Sequence, residues 1–141
     1  MLEPAAKTTT YSIRKTDLSI AGTTPVDTGL QVSVVANVVY RVEYLVNTTG
    51  SADGIQLSLV GSGTPVVSGL VSEVYDPTTT VYSAGIVNIN DVVSSGSDIM
   101  MCSGVFVSNY TGILKITARE TIDFGSDSVI KAGSYLLVQP L

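Results

Sequence analysis

The sequence contains no histidine and no tryptophan, and only one cysteine, Cys102. Without histidine there is no Ser–His–Asp or Cys–His arrangement, and acid–base catalysis near neutral pH loses its commonest agent. Zinc sites draw on several Cys and His ligands, so one cysteine cannot build one. A lone cysteine also rules out an internal disulfide, which leaves packing to hold the fold. Charge is scarce as well. Only 13% of the residues are charged, against roughly 25% in an average soluble domain. Seven Lys and Arg are scattered through the chain and the net charge is −5. Nucleic-acid affinity needs clustered basic residues, so no nucleic-acid partner is expected. The longest apolar runs, such as Val38-Val39-Tyr40, are too short to span a bilayer, and no membrane partner is expected either. No apolar stretch follows Met1, so no secretory signal is expected.

What the chain does have is apolar residues, 45% of the total, and a mean hydropathy of +0.40. Its polar surface must come from Ser, Thr, Asn and Gln. A surface so poor in charge does little to keep copies apart. It points to surface buried between subunits or in a lattice.

No segment repeats apolar residues at helical spacing. Short β-branched and aromatic segments recur instead, separated by Gly, Pro, Asp and Asn. Leu30–Ala36 alternates. In Val39–Asn47, Tyr40, Val42, Tyr44 and Val46 form one face, while Arg41 and Glu43 lie on the other. Asp53-Gly54 suits a tight turn, so Val39–Asn47 and Ile55–Val60 are expected to pair as a hairpin. Val66–Tyr75 and Val81–Ile89 lie around Asp76-Pro77. Ile99–Ser108 contains Gly104, a candidate bulge. Asn109–Gly112 reads as the loop of a second hairpin to a strand whose Leu114, Ile116 and Ala118 face inward. Val129–Ile130 and Ser134–Val138 close the chain. The fold class is all-β: an antiparallel β-sandwich or jelly roll of about eight or nine strands, spanning residues 11–141. Residues 1–10 do not alternate and read as an extended N-terminal arm.

Searches for chemistry end in turns. The aspartates, Asp53, Asp76, Asp123 and Asp127 among them, sit where turns are expected and cap backbone amides there. Asp123 and Asp127 flank Gly125 without calcium-loop spacing. Gly61-Ser62-Gly63 lacks the lysine and the helix of a phosphate loop. Cys102 follows Met100-Met101 and reads as a small core residue. No enzyme activity and no cofactor are expected.

One ordered set of segments is familiar: Tyr11-Ser12-Ile13, Asp27-Thr28-Gly29-Leu30, Val39-Tyr40-Arg41-Val42-Glu43-Tyr44 and Gly54-Ile55-Gln56-Leu57-Ser58-Leu59. Gly104-Val105-Phe106, Thr111-Gly112-Ile113-Leu114-Lys115-Ile116-Thr117-Ala118 and Lys131-Ala132-Gly133-Ser134-Tyr135-Leu136-Leu137-Val138 follow. Together they resemble the small β-sandwich, jelly-roll-like virion proteins of tailed bacteriophages. The resemblance implies a homotrimer on the virion, either a capsid cement (decoration) protein bound to the major capsid protein or the tip of a fibre. No stalk or coiled-coil heptad precedes the sandwich, which favours cement at the capsid surface over a receptor-binding tip that reads a host glycan. The candidate interface residues are Thr8, Thr9, Thr10 and Tyr11 of the arm, and Leu141.

Overall fold

The computed structural model describes residues 8–49, 55–61, 99–121, 125 and 127–141, together with the backbone of strands at 66–67, 70–75, 81–87 and 92–95. Among these residues there are thirteen β-strands and no helix: β1 (Thr10–Ile13), β2 (Leu18–Ile20), β3 (Val26–Val34), β4 (Val39–Thr49), β5 (Ile55–Gly61), β6 (Val66–Val67), β7 (Leu70–Tyr75), β8 (Val81–Val87), β9 (Val92–Ser95), β10 (Ile99–Val107), β11 (Gly112–Glu120), β12 (Ser128–Ile130) and β13 (Tyr135–Pro140). All pairings are antiparallel and form two sheets. The larger sheet runs β1-β13-β4-β10-β7-β8, with β2, β6 and β12 attached beside it, and the smaller runs β3-β11-β5-β9.

This order has a simple origin. Set aside β2, β6, β12 and the β7–β8 hairpin. The remaining strands then pair first with last (β1–β13), second with next-to-last (β3–β11), then β4–β10, and innermost β5–β9. The chain is one long hairpin rolled so that successive pairs fall in alternate sheets, which is the jelly-roll arrangement. The sandwich expected from the alternation is therefore present, with additional short strands and one inserted hairpin.

Both sheets bury alternate residues between them. Tyr40, Val42, Tyr44 and Val46 of β4 are buried, as are Leu30, Val32 and Val34 of β3 and Leu114, Ile116 and Ala118 of β11. Phe106 is fully buried and stacks on Tyr40 with ring centroids 5.6 Å apart. Cys102 is buried, and that burial pushes its thiol pKa up to about 12.

The two expected hairpins are not formed. β4 pairs with β13 and β10, whereas β5 pairs with β11 and β9 in the other sheet. Likewise β10 and β11 lie in different sheets. A link that crosses between sheets leaves the same local trace as a hairpin, namely two one-sided strands around a turn. The Asp53-Gly54 turn lies outside the described residues. At the other crossing, the β3–β4 turn and the β10–β11 link are laced together. Asn37 N–H donates to Ser108 O at 2.7 Å, Ser108 N–H donates to Val38 O at 3.1 Å, and Ala36 N–H donates to Thr111 Oγ1 at 3.0 Å. Asn37 turns the chain with φ +65°, a region that Asn tolerates better than most residues.

Against β4, Gly104 marks no bulge; on the other side of β10 the register slips by one residue across it, between Ser103↔Val71 and Phe106↔Val67. The β10–β4 ladder is unbroken from Ile99↔Asn47 to Val107↔Val39, and Gly104 sits in the inward row between Cys102 and Phe106. Another irregularity lies in β3, where the register against β11 jumps from Lys115↔Gln31 to Thr117↔Asp27. Gly29 takes φ +78° there, a value glycine adopts without steric cost. Thr28 Oγ1 bridges the gap, donating to Ile116 O at 2.7 Å and accepting from Leu30 N–H at 3.2 Å.

Candidate interface on the larger sheet

Among the described residues, the outward side of the larger sheet carries two charged side chains, Arg41 and Glu43. Its composition follows from register. Ile13 lies opposite Tyr135, Tyr135 opposite Leu45, and Leu45 opposite Met101. These four share one outward row, which the backbone of Glu73, opposite Met101, continues. In the next row Tyr11 lies opposite Leu137, Leu137 opposite Glu43, and Glu43 opposite Ser103. Beyond it, Gln139, Arg41 and Val105 align, followed by Val39 opposite Val107.

At the β1 end these rows form a groove of about 310 Å³ lined by Thr9, Tyr11, Ile13, Tyr135 and Leu137. No lining residue is charged. Tyr11 is 66% exposed and Ile13 50%. At the opposite corner Leu141 is 53% exposed, and its N–H donates to Val39 O at 2.9 Å. Val39, Val105 and Val107 are also exposed. Between the two apolar areas lies the Arg41–Glu43 ion pair at 3.5 Å. Tyr135 Oη donates to Glu43 Oε1 at 3.2 Å. Burial, followed by the Glu43 carboxylate, raises the phenol's pKa above its ordinary value.

Of the residues named from the sequence, Thr9 and Tyr11 enter the groove, while Thr8 and Thr10 are exposed beside it. Leu141 belongs to the other apolar corner. Thr10 already pairs with Val138 as the first residue of β1; residues 1–7 of the expected arm lie outside the described residues. Sequence reasoning missed Ile13, Tyr135, Leu137, Val105 and Val107. The signal was present in Val105-Phe106-Val107 and Tyr11-Ser12-Ile13, where the outward positions are themselves apolar.

The smaller sheet carries a different surface. A groove of about 450 Å³ on its outer side is lined by Pro25, Gln56, Ser58, Val60, Lys115, Thr117 and Arg119, among others. Its cations have partners: Lys115 Nζ lies 3.0 Å from Asp27 Oδ2, and Arg119 Nε donates to Gln56 Oε1 at 2.7 Å. Among the described residues no three His, Cys, Asp or Glu side chains gather as a metal site. Asp127 is exposed and Asp123 lies outside the described residues. No described helix is long and apolar enough to cross a membrane.

No family model matches the chain, and no characterised protein matches it in sequence. Among solved structures it is similar to VP2 in a subviral particle of infectious bursal disease virus, with 13% identity and a TM-score of 0.48 over 95% of this chain. It is similar as well to the protein of the T13 particle of the same virus, with 16% identity and a TM-score of 0.49 over 95% of this chain. The chain spans 32% and 30% of the length of those two proteins. A Bacillus endospore appendage protein of disulfide-linked pili aligns over 100% of this chain and 96% of its own, with 9% identity and a TM-score of 0.29. At these identities and TM-scores the likeness goes no further than the arrangement of strands.

Proposed function

We propose that this chain is a non-enzymatic virion structural protein, a capsid cement protein that seats across capsomer junctions as a trimer and stabilises the shell. The observation that carries the reading is the outward side of the larger sheet. There the exposed Tyr11, Ile13, Val39, Val105, Val107 and Leu141 surround the Arg41–Glu43 ion pair. Such a face is suited to burial against protein rather than to permanent exposure. The trimer and the major capsid protein as partner rest on the resemblance to tailed-phage virion proteins alone. A subunit that binds only the assembled shell shifts the assembly equilibrium by mass action, and roughly 800 Å² per partner is an ordinary contact for that purpose. In this reading the N-terminal arm reaches onto a neighbouring subunit.

The test mixes the purified chain with assembled shells and with free capsomers, and compares the full chain with a variant lacking residues 1–7, which leaves β1 whole. Binding to shells alone, weakened by the deletion, is the expected result. Undiminished binding by the shortened chain removes the arm's role; absence of binding by the full chain removes the cement reading. A receptor-binding fibre tip is the second reading, favoured by the groove into which Gln56, Ser58, Thr117 and Arg119 bring hydrogen-bonding groups. A glycan array separates it, because a cement protein leaves every spot empty.

A further inference from the structure

β1 ends the larger sheet, and nothing in the described chain pairs with its outer side. Which main-chain groups face outward follows from one hydrogen bond. Arg14 N–H donates to Ser134 O at 2.9 Å. In an antiparallel ladder inward-bonding residues alternate, so Ser12 and Thr10 also bond toward β13. The N–H and C=O of Tyr11 and Ile13 therefore point away from the sheet. An open edge of this kind is a template for a further strand, and proteins usually blunt it with lysine, proline or a bulge. The sequence Thr10-Tyr11-Ser12-Ile13 has none of these. It presents instead two exposed large apolar side chains, Tyr11 and Ile13, on the face that carries the groove.

We propose that the β1 edge pairs antiparallel with β1 of a second copy across a two-fold axis at Ser12, joining two larger sheets into one. In this register Tyr11 lies opposite Ile13 of the second copy and Ile13 opposite its Tyr11. The outward N–H and C=O groups of both residues then satisfy each other. The arrangement is self-complementary, as a two-fold contact requires, and sets an aromatic ring beside a β-branched side chain on one face, a favourable cross-strand pair. Electrostatics permit it. The groove has no charge, and Arg14 is engaged within its own copy, with Nη1 donating to Thr28 O at 3.0 Å and Nη2 to Thr16 Oγ1 at 3.3 Å. On the inner side, Ser12 Oγ donates to Gly29 O at 3.3 Å, so β3 covers that side and leaves the Tyr11 face open.

Four residues a side fall well short of the roughly 800 Å² per partner of a stable complex. The contact is therefore weak between free copies and effective between copies already held near each other, where effective concentration replaces affinity. Being two-fold, it is distinct from contacts within a trimer; in the cement reading it would join neighbouring trimers. It stands or falls separately from the cement reading.

Sedimentation of the full chain from about 10 to 500 µM is expected to show reversible pairing of whatever the smallest species is. Tyr11→Pro removes an N–H that β13 does not use, and proline is tolerated on an edge strand when that side faces solvent. Tyr11→Pro and Ile13→Lys are each expected to weaken pairing at least tenfold while thermal unfolding stays cooperative. Ser12→Cys places two sulfurs at the axis, where a non-hydrogen-bonded pair sits about 4.5 Å apart at Cα, within disulfide reach. Mild oxidation is expected to link Ser12→Cys copies in pairs, with buried Cys102 left out. Pairing unchanged in Tyr11→Pro and Ile13→Lys, or Ser12→Cys that stays unlinked at 500 µM, would overturn the proposal. Shell binding by reduced Ser12→Cys, whose Tyr11 face is unchanged, reports on the cement reading independently.

Discussion

Gly29 and Gly22 form a matched pair for measuring what the β3 bulge contributes. Their φ angles are +78° and +80°, so alanine meets nearly the same backbone strain at both. That strain is about 1–2 kcal/mol. Their surroundings differ. A Cβ at Gly22 meets nothing within 4 Å, whereas at Gly29 it comes within 3.2 Å of Arg14 Nη1. That nitrogen donates to Thr28 O at 3.0 Å, a part-buried bond between β1 and β3 at the neighbouring edges of the two sheets. If the Cβ displaces it, a charged hydrogen bond worth about 1.5 kcal/mol is lost in addition. Gly29→Ala should thus cost about 3 kcal/mol and Gly22→Ala about half of that. For a domain of this length, each kcal/mol lowers Tm by roughly 3–5 °C. Urea denaturation with unchanged m-values measures both variants. Arg14→Ala in the Gly29→Ala background completes a double-mutant cycle, and the coupling should be near 1.5 kcal/mol. Equal losses at the two glycines, with no coupling, would show that Arg14 swings aside freely and does not clamp the sheet edges.

Three other outcomes are expected. Phe106→Ala opens a cavity beneath Tyr40 and should cost about 3–5 kcal/mol in chemical denaturation, the largest loss of any single truncation here. Glu120 is buried, and its Oε1 accepts from Gly22 N–H at 2.7 Å; Glu120→Gln keeps an acceptor, while Glu120→Leu strands the donor and should be about 2 kcal/mol less stable than Gln in the same assay. Cys102 should resist iodoacetamide at pH 8 until urea unfolds the chain. Because its folded pKa is raised from 9.0 to about 12, its contribution is complete below pH 9 and is lost as pH rises toward 12. Cys102→Ala should flatten that alkaline decline.

The sequence disclosed burial far better than pairing. In Tyr40-Arg41-Val42-Glu43-Tyr44 each side chain declares its face, because a strand's period is two and the charges cannot turn inward. Alternation also located the inward rows of β3 and β11. What it cannot carry is the identity of the partner strand. Asp53-Gly54 and Asn109–Gly112 have turn chemistry, and turn chemistry serves a hairpin and a crossing between sheets equally well. Pairing in this fold is instead nested over long separations, with Tyr11 beside Leu137 and Ile13 beside Tyr135. A nested order is a property of the whole chain and leaves no local mark. The interface was half legible for a related reason. Tyr11 was named with the arm, but Ile13 and Leu137 look like core residues until register shows them pointing outward.

The scarcity of charge gains meaning from where the ionised groups lie. Lys131 Nζ reaches Asp17 Oδ2 at 2.7 Å and Ala132 N–H donates to Asp17 Oδ1 at 2.8 Å, tying the turn before β13 to the segment before β2. The Lys131 hydrogen bond, then that of Ala132, holds the Asp17 carboxyl below its usual pKa. Lys115 pairs with Asp27 beside the bulge, and Arg14 spans from β1 to β3. Each of these sits at a turn, a bulge or the seam between sheet edges, where ladder hydrogen bonds are interrupted and a directed polar contact can replace them. On the outward side of the larger sheet, Arg41 and Glu43 are the charged side chains among the described residues, and they pair with each other. Among the described residues, the ions are placed where the backbone needs partners, and few lie on the outward side of the larger sheet. That distribution is what a face covered by protein requires, since no unpaired charge would have to be desolvated when it closes.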